Sequence, residues 1–115
     1  MNATASATAT IRPLAPRDLD AVVAIDQAIE GRPRRAYIQR RLDAALREPS
    51  RHVQFAAADG EELTGYLLAR MLGGEFGRTR PGLRIELVGV HRDRQQHGVG
   101  RLLLEALVEH ARKKG

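Results

Sequence analysis

Two periods of apolar residues alternate along the chain and predict its elements. Ile11-Arg12-Pro13-Leu14 reads as a short first strand, with Pro13 at an edge or an end. Asp18 then caps a helix running to about Glu30, whose apolar stripe is Leu19, Val22, Val23, Ile25 and Ile29. Gly31 breaks that helix and Pro33 opens a second through about Arg47, with Ala36, Ile38, Leu42, Ala45 and Leu46 on its apolar side. Val53 to Ala58 and Leu63 to about Met71 alternate as two strands joined by the turn signal Asp59-Gly60, which predicts a hairpin with a solvated acidic loop. Leu83 to Val90 is a fourth strand. Strict alternation puts Leu83, Ile85, Leu87 and Gly89 on one face and Arg84, Glu86, Val88 and Val90 on the other. A last helix runs from Gly98 or Val99 to Lys114, with Leu103, Leu104, Leu107, Val108 and Ala111 at core spacing. The Ala/Thr/Ser tract Met1 to Thr10 reads as a flexible tail, which leaves 11–115 as the folded domain.

Composition narrows the function classes. With 115 residues and 43% hydrophobic content the chain is one domain with a modest core. It has no cysteine, hence no disulfide, no thiolate nucleophile and no Cys-based zinc site, and its four histidines lack metal-ligand spacing, so no metal is expected. Only 3% of residues are aromatic, too few for a base-stacking platform, which disfavours a nucleic-acid partner. No stretch reaches the roughly 18 apolar residues of a membrane span, and the start of the chain lacks the pattern of a secretory signal, so a cytoplasmic location is the default. The formal net charge of +5 favours anionic partners. The second helix interleaves its apolar positions with Arg34, Arg35, Arg40, Arg41 and Arg47. Gly73 to Gly82 is a long glycine-rich basic connection, either a plain hairpin loop or a flap.

The candidate chemistry sits after the fourth strand. In Val90-His91-Arg92-Asp93-Arg94-Gln95-Gln96-His97-Gly98-Val99-Gly100-Arg101 an apolar strand ends in a charged turn, two glycines follow at alternate positions, and a helix begins. Gly98 and Gly100 lack Cβ atoms, so backbone N–H groups can converge on a ligand at the positive end of the helix, a setting that suits phosphate. Gln95-x-x-Gly98-x-Gly100 matches the Q/R-x-x-G-x-G/A signature of the GNAT superfamily of acyl-CoA N-acyltransferases. Val90-His91-Arg92-Asp93 sits where that family usually reads Val-x-Pro-Asp/Glu, with Arg92 in place of Pro. The chain thus resembles a GNAT domain from residue 11 to residue 115.

That resemblance implies an α/β (α+β) fold with a mainly antiparallel sheet flanked by helices, and transfer of an acetyl or other acyl group from acetyl-CoA (acyl-CoA) to a primary amine by direct attack. The amides of Gln95, Gln96, Gly98, Val99, Gly100 and Arg101 are expected to cradle the pyrophosphate, with the Arg101 side chain adding charge. Backbone N–H groups near Val88 and Val90 are expected to face the thioester oxygen. Glu86, a carboxylate within an apolar strand, is the candidate general base: burial there would raise its pKa toward a useful range, and the alternative is a carboxylate paired with Arg84 or another arginine. Tyr37, with its arginine neighbours on the second helix, is the candidate for acceptor recognition. No general acid carries over, since neither Tyr37 nor Tyr66 stands where the family places one. The family continues beyond the last helix with more strands and a further helix, so the expectation is a domain truncated there, a fragment or a sheet completed by another chain such as a homodimer partner. Two other readings stay open, a non-catalytic acyl-CoA-binding module and a basic nucleic-acid-binding domain.

Overall fold

Alternation along the two central strands sorts their side chains into two separate cores, one on each side of a sheet. The structure is a computed structural model that describes residues 9–72, 82–95 and 97–114. In chain order the elements are β1 (Ala9–Arg12), α1 (Leu19–Glu30), α2 (Arg35–Arg47), β2 (His52–Asp59), β3 (Glu62–Leu72), β4 (Gly82–Val90) and α3 (Val99–Lys114). The strands form a single four-stranded antiparallel sheet in the order β1-β2-β3-β4. Ala56, Tyr66 and Leu68 face α1 and α2, where they meet Val22, Ile25, Ile38, Leu42 and Ala45. Val53, Ala57, Leu67 and Ala69 face α3 and meet Val99, Leu103 and Leu107. This is the α+β layering expected from the sequence. The glycine-rich connection read as a possible flap, residues 73–81, lies outside the described residues, as do residues 1–8 and Gln96.

Three boundaries and one pairing differ from the sequence pattern. β1 takes in Ala9 and Thr10 and stops before Pro13, because pairing with Ala58 and Asp59 needs only backbone groups and Pro13 cannot donate to a ladder. α2 starts at Arg35 rather than Pro33. Gly31 does end α1, in the left-handed conformation at φ +82°. Leu104 and Val108, expected in the core, are about half exposed on α3. Asp18 stands at the start of α1 without capping it. Its carboxylate instead accepts both guanidinium arms of Arg12 at 2.9 Å and the Ala15 amide at 2.8 Å, which pins the end of β1 to the start of α1.

The fourth strand corrects the two-face assignment. A register shift opposite Leu68 and Ala69 makes Glu86 the extra residue of a bulge, since Leu68 pairs with Leu87 and Ala69 with Ile85. Leu83, Ile85, Val88 and Val90 therefore share the α3 face with their partners, whereas Arg84, Glu86, Leu87 and Gly89 share the α1/α2 face. On that face Tyr66 is packed so close to Gly89 that a Cβ there would lie 2.5 Å from its hydroxyl. Burial pushes the Tyr66 phenol above its ordinary range, so it stays protonated. On the α3 face Gly65 has the same function. A Cβ at Gly65 would lie 2.9 Å from Val99 and 3.2 Å from Leu103, so its absence lets the first turn of α3 rest directly on β3.

The Asp18 clamp gives a pH test. The Arg12 hydrogen bonds, and secondarily the Ala15 amide, hold the Asp18 carboxyl below its unfolded value of 3.8. A depressed carboxylate contributes stability above the unfolded value and loses it as pH falls through the folded one. The wild-type melting temperature should thus drop more steeply below about pH 4 than that of Asp18→Asn, which should cost about 1–3 kcal/mol at pH 7 because a half-buried guanidinium loses its carboxylate partner. Thermal melts of both proteins between acid and neutral pH read this directly.

Candidate functional site

α3 begins with unsatisfied donors. Gly98 adopts φ +80°, a left-handed conformation that most residues resist, and its carbonyl accepts the first helical hydrogen bond, from Leu102 at 3.0 Å. The amides of Gly98, Val99, Gly100 and Arg101 have no acceptor among the described residues. These are the orphan groups of a helix start, where the dipole adds partial positive charge. Gly100, at the second helical position, is not needed by the fold: a Cβ there would meet only Val90, at an ordinary 3.7 Å. The space above its backbone is open. Val99 is buried beneath, so it can offer only its amide outward.

The loop before this helix is held on three sides. His91 donates its amide to Thr64 of β3 at 2.8 Å, and its ring Nδ1 accepts the Asp93 amide at 3.1 Å, so this histidine stabilises the turn. Arg94 reaches Asp59 at 2.9 Å and Glu62 at 3.2 Å. The acidic hairpin loop, expected to be merely solvated, is therefore the loop's anchor. Gln95 sends its side-chain amide to the Val90 carbonyl at 3.2 Å, while its backbone amide turns back toward Arg92 at 3.5 Å instead of joining the open amides. The Arg101 guanidinium, expected beside the loop, pairs with Glu105 one turn further along α3. Gln96 lies outside the described residues.

β4 ends the sheet, and its backbone geometry assigns its outward donors. Because the His91 amide points at β3, alternation turns the Gly89 amide the same way and the Val88 and Val90 amides away from β3. The Val90 carbonyl, which accepts Gln95, confirms the phase.

On the opposite face the bulge presents Glu86. Its side chain is 7% exposed, with Oε2 3.0 Å from Arg41 and 3.5 Å from Arg70. The Arg70 Nε is buried without a hydrogen-bond acceptor among the described residues. Arg41 also stacks on Tyr37 at 5.2 Å, and Arg34 covers the same ring at 4.9 Å. Arg34 is fixed in turn by the buried Asp26 through contacts of 2.6 and 3.0 Å. Thus Glu86 of β4 and Tyr37 of the first turn of α2 are joined through Arg41, whereas the open amides lie at the end of β4 on the α3 side. Arg94, Arg70 and Asp26 were not singled out by sequence reasoning, which named Arg41 only among the basic neighbours of Tyr37. Only Asp26 carried a signal, as an acid interrupting the apolar stripe of α1.

Comparison with known proteins bears on the family and the fold. The model of the acetyltransferase (GNAT) family matches residues 19–115. The chain belongs to the GNAT acetyltransferase family. No curated protein matches it by sequence. Among solved structures, this GNAT domain is similar to an aminoglycoside acetyltransferase from an uncultured soil metagenomic sample, with a TM-score of 0.70 at 20% identity over 95% of this chain and 73% of that one. It is also similar to a transcriptional regulator from Bacillus halodurans C-125, with a TM-score of 0.77 at 22% identity over 93% and 76%. A third is the ribosomal-protein-S18-alanine N-acetyltransferase of Escherichia coli, with a TM-score of 0.69 at 22% identity over 93% of this chain and 61% of that one. At such identities the likeness is one of fold. No helix among the described residues is long and apolar enough to cross a membrane.

The anchor of the loop can be tested alone. Arg94→Ala should leave the melting temperature of the two cores nearly unchanged but speed hydrogen exchange of the Arg94 and His97 amides about tenfold, because local opening no longer breaks two ion pairs. Exchange mass spectrometry or NMR would register this.

Proposed function

We propose that this GNAT domain binds acetyl-CoA at the start of α3 and transfers its acetyl group directly to a primary amine. The observation that carries the reading is the set of open amides from Gly98 to Arg101 beneath a glycine whose missing side chain the fold does not require. The residues present fit the group. A pyrophosphate needs several converging N–H donors and tolerates no bulk above them, and a helix start supplies both without a lysine. The Val88 and Val90 amides on the open edge of β4 are donors available to a developing oxyanion.

An alkyl ammonium has a reference pKa of about 10.4, so presenting the neutral amine at pH 7 costs about 5 kcal/mol. A base or a desolvated site must meet that cost. Glu86 is the proposed base, acting on the amine itself or through water, and Arg41 and Arg70 orient its carboxylate. The nitrogen lone pair forms the C–N bond of the product amide as the thioester C–S bond breaks. One proton of the ammonium passes to Glu86 before attack, the second leaves the nitrogen as the amide forms, and the departing sulfur takes up a proton to give coenzyme A as the thiol. Tyr37, flanked by Arg34 and Arg41, is the proposed acceptor contact.

Two substitutions test the two halves. Gly100→Asp places an acid at the second position of a helix, where the dipole favours it by about 0.3–1 kcal/mol. Stability should hold or rise while coenzyme A affinity in calorimetry falls more than about tenfold through repulsion of the phosphates. Unchanged affinity would exclude the helix start as the cradle. Glu86→Gln should lower the rate of thiol release with an amine panel by about a hundredfold or more and leave coenzyme A affinity intact. Unaltered turnover would make Glu86 a purely structural partner of its arginines, whereas no thiol release from the wild type would favour a binding module over an enzyme.

A further inference from the structure

We propose that the acceptor carries carboxylates beside its amine and that Arg32 and Arg40 read them. This deepens, and rests on, the acyl-transfer reading. Two adjoining concavities on the α1–α2 side share Tyr37 and Arg40. The larger, about 630 Å³, is walled by Arg32, Arg34, Arg35 and Arg40 around Tyr37. The smaller, about 260 Å³, lies between Tyr37, Arg40, Arg41 and Ala44. No carboxylate lines either one.

The guanidiniums divide into two groups. Arg34 is held by Asp26 and Arg35 by Asp20, each at 2.6 Å, and Arg41 by Glu86 at 3.0 Å. These three serve the fold. Arg32 and Arg40 are exposed and have no ion pair among the described residues. An unpaired arginine on a convex surface is ordinary, but these two flank a groove whose wall includes Arg41, the partner of Glu86. Arg41 touches the Tyr37 ring on one side and the Glu86 carboxylate on the other. On the proposed path past Tyr37 and Arg41 to Glu86, an amine passes two cations that have no ion pair among the described residues, in a wall without acids. A polycation is repelled there, and a carboxylate meets the planar, bidentate donors of Arg32 and Arg40 beside the Tyr37 ring. The shared chemistry fits two sources, an acidic peptide with a free N-terminus or a small dicarboxylic amino acid.

The test uses the full chain and short peptides with a free N-terminal alanine followed by glutamates, serines or lysines. In calorimetry at about 0.1 M salt, a condition that still leaves close charge pairs unscreened, the glutamate peptide should bind at least about tenfold more tightly than the lysine peptide, with the serine peptide between. The double variant Arg32→Glu/Arg40→Glu should invert that order with its melting temperature unchanged, since neither side chain has a partner to lose. Displacement of the glutamate peptide by free glutamate at comparable concentration assigns the groove to small amino acids, and failure to displace it assigns the groove to peptides; both support the proposal. Equal binding of the three peptides, or an unaltered order in the double variant, overturns it. So does duplex DNA that binds more tightly than the glutamate peptide and loses its affinity in the same variant, which would make the surface a nucleic-acid contact. Peptide binding is measured without acetyl-CoA. Acetyl transfer without preference for acidic peptides would therefore sink this inference alone, whereas acidic-peptide binding without coenzyme A binding would sink the transfer reading alone.

Discussion

The arrangement turns on a helix whose first donors are left open. Every helix start has unsatisfied amides, and most proteins cover them with a capping side chain or water. Here Gly98 turns the chain left-handed immediately before α3, and no side chain among the described residues folds back over Gly98 to Arg101. Keeping those amides convergent requires that the helix start be immobile. Gly65 lets α3 rest on β3, and Val99 and Leu103 are buried in the contact. Arg94 and Gln95 then tie the preceding loop to the β2–β3 turn and to the edge of β4.

The sheet separates two tasks. Its α3 face carries the helix and the open amides, and its α1/α2 face carries Glu86 and Tyr37. The bulge at Glu86 links the two. A strand of strict alternation could not place Ile85 with α3 and both Glu86 and Leu87 with α1 and α2. The extra residue turns a carboxylate toward the helices while the following valines keep their outward amides on the open edge.

Charge is arranged with similar economy. The chain is basic overall, yet several of its arginines serve as ties: Arg12 to Asp18, Arg34 to Asp26, Arg41 to Glu86 and Arg94 to Asp59. Buried or half-buried carboxylates need such partners, since an unpaired charge removed from water is costly. The same pairs fix backbone segments that few apolar contacts hold, namely the loop before α1, the loop before α2 and the turn before α3. Tyr37 is ordered as a by-product, pressed between two guanidiniums already held by acids.

Much of this was legible in the residues alone. Apolar periods located the four strands and three helices of the described residues, Gly31 stopped α1, and the register of Val90, Asp93, Gln95, Gly98 and Gly100 marked the strand, turn and helix start, because these features depend on neighbours a few positions apart. The faces of β4, the partners of Glu86, the anchoring by Arg94 of an acidic turn 35 positions earlier, and the placement of Leu104 and Val108 at the surface were not. A bulge is invisible to a two-residue period, and an ion pair between distant segments exists only once the sheet has set their register. Local sequence determined which groups could offer donors to an anion; tertiary structure alone decided which of those donors stay free, because pairing across the fold ties Arg34, Arg41 and Arg94 to acids and leaves the amides from Gly98 to Arg101 without an acceptor among the described residues.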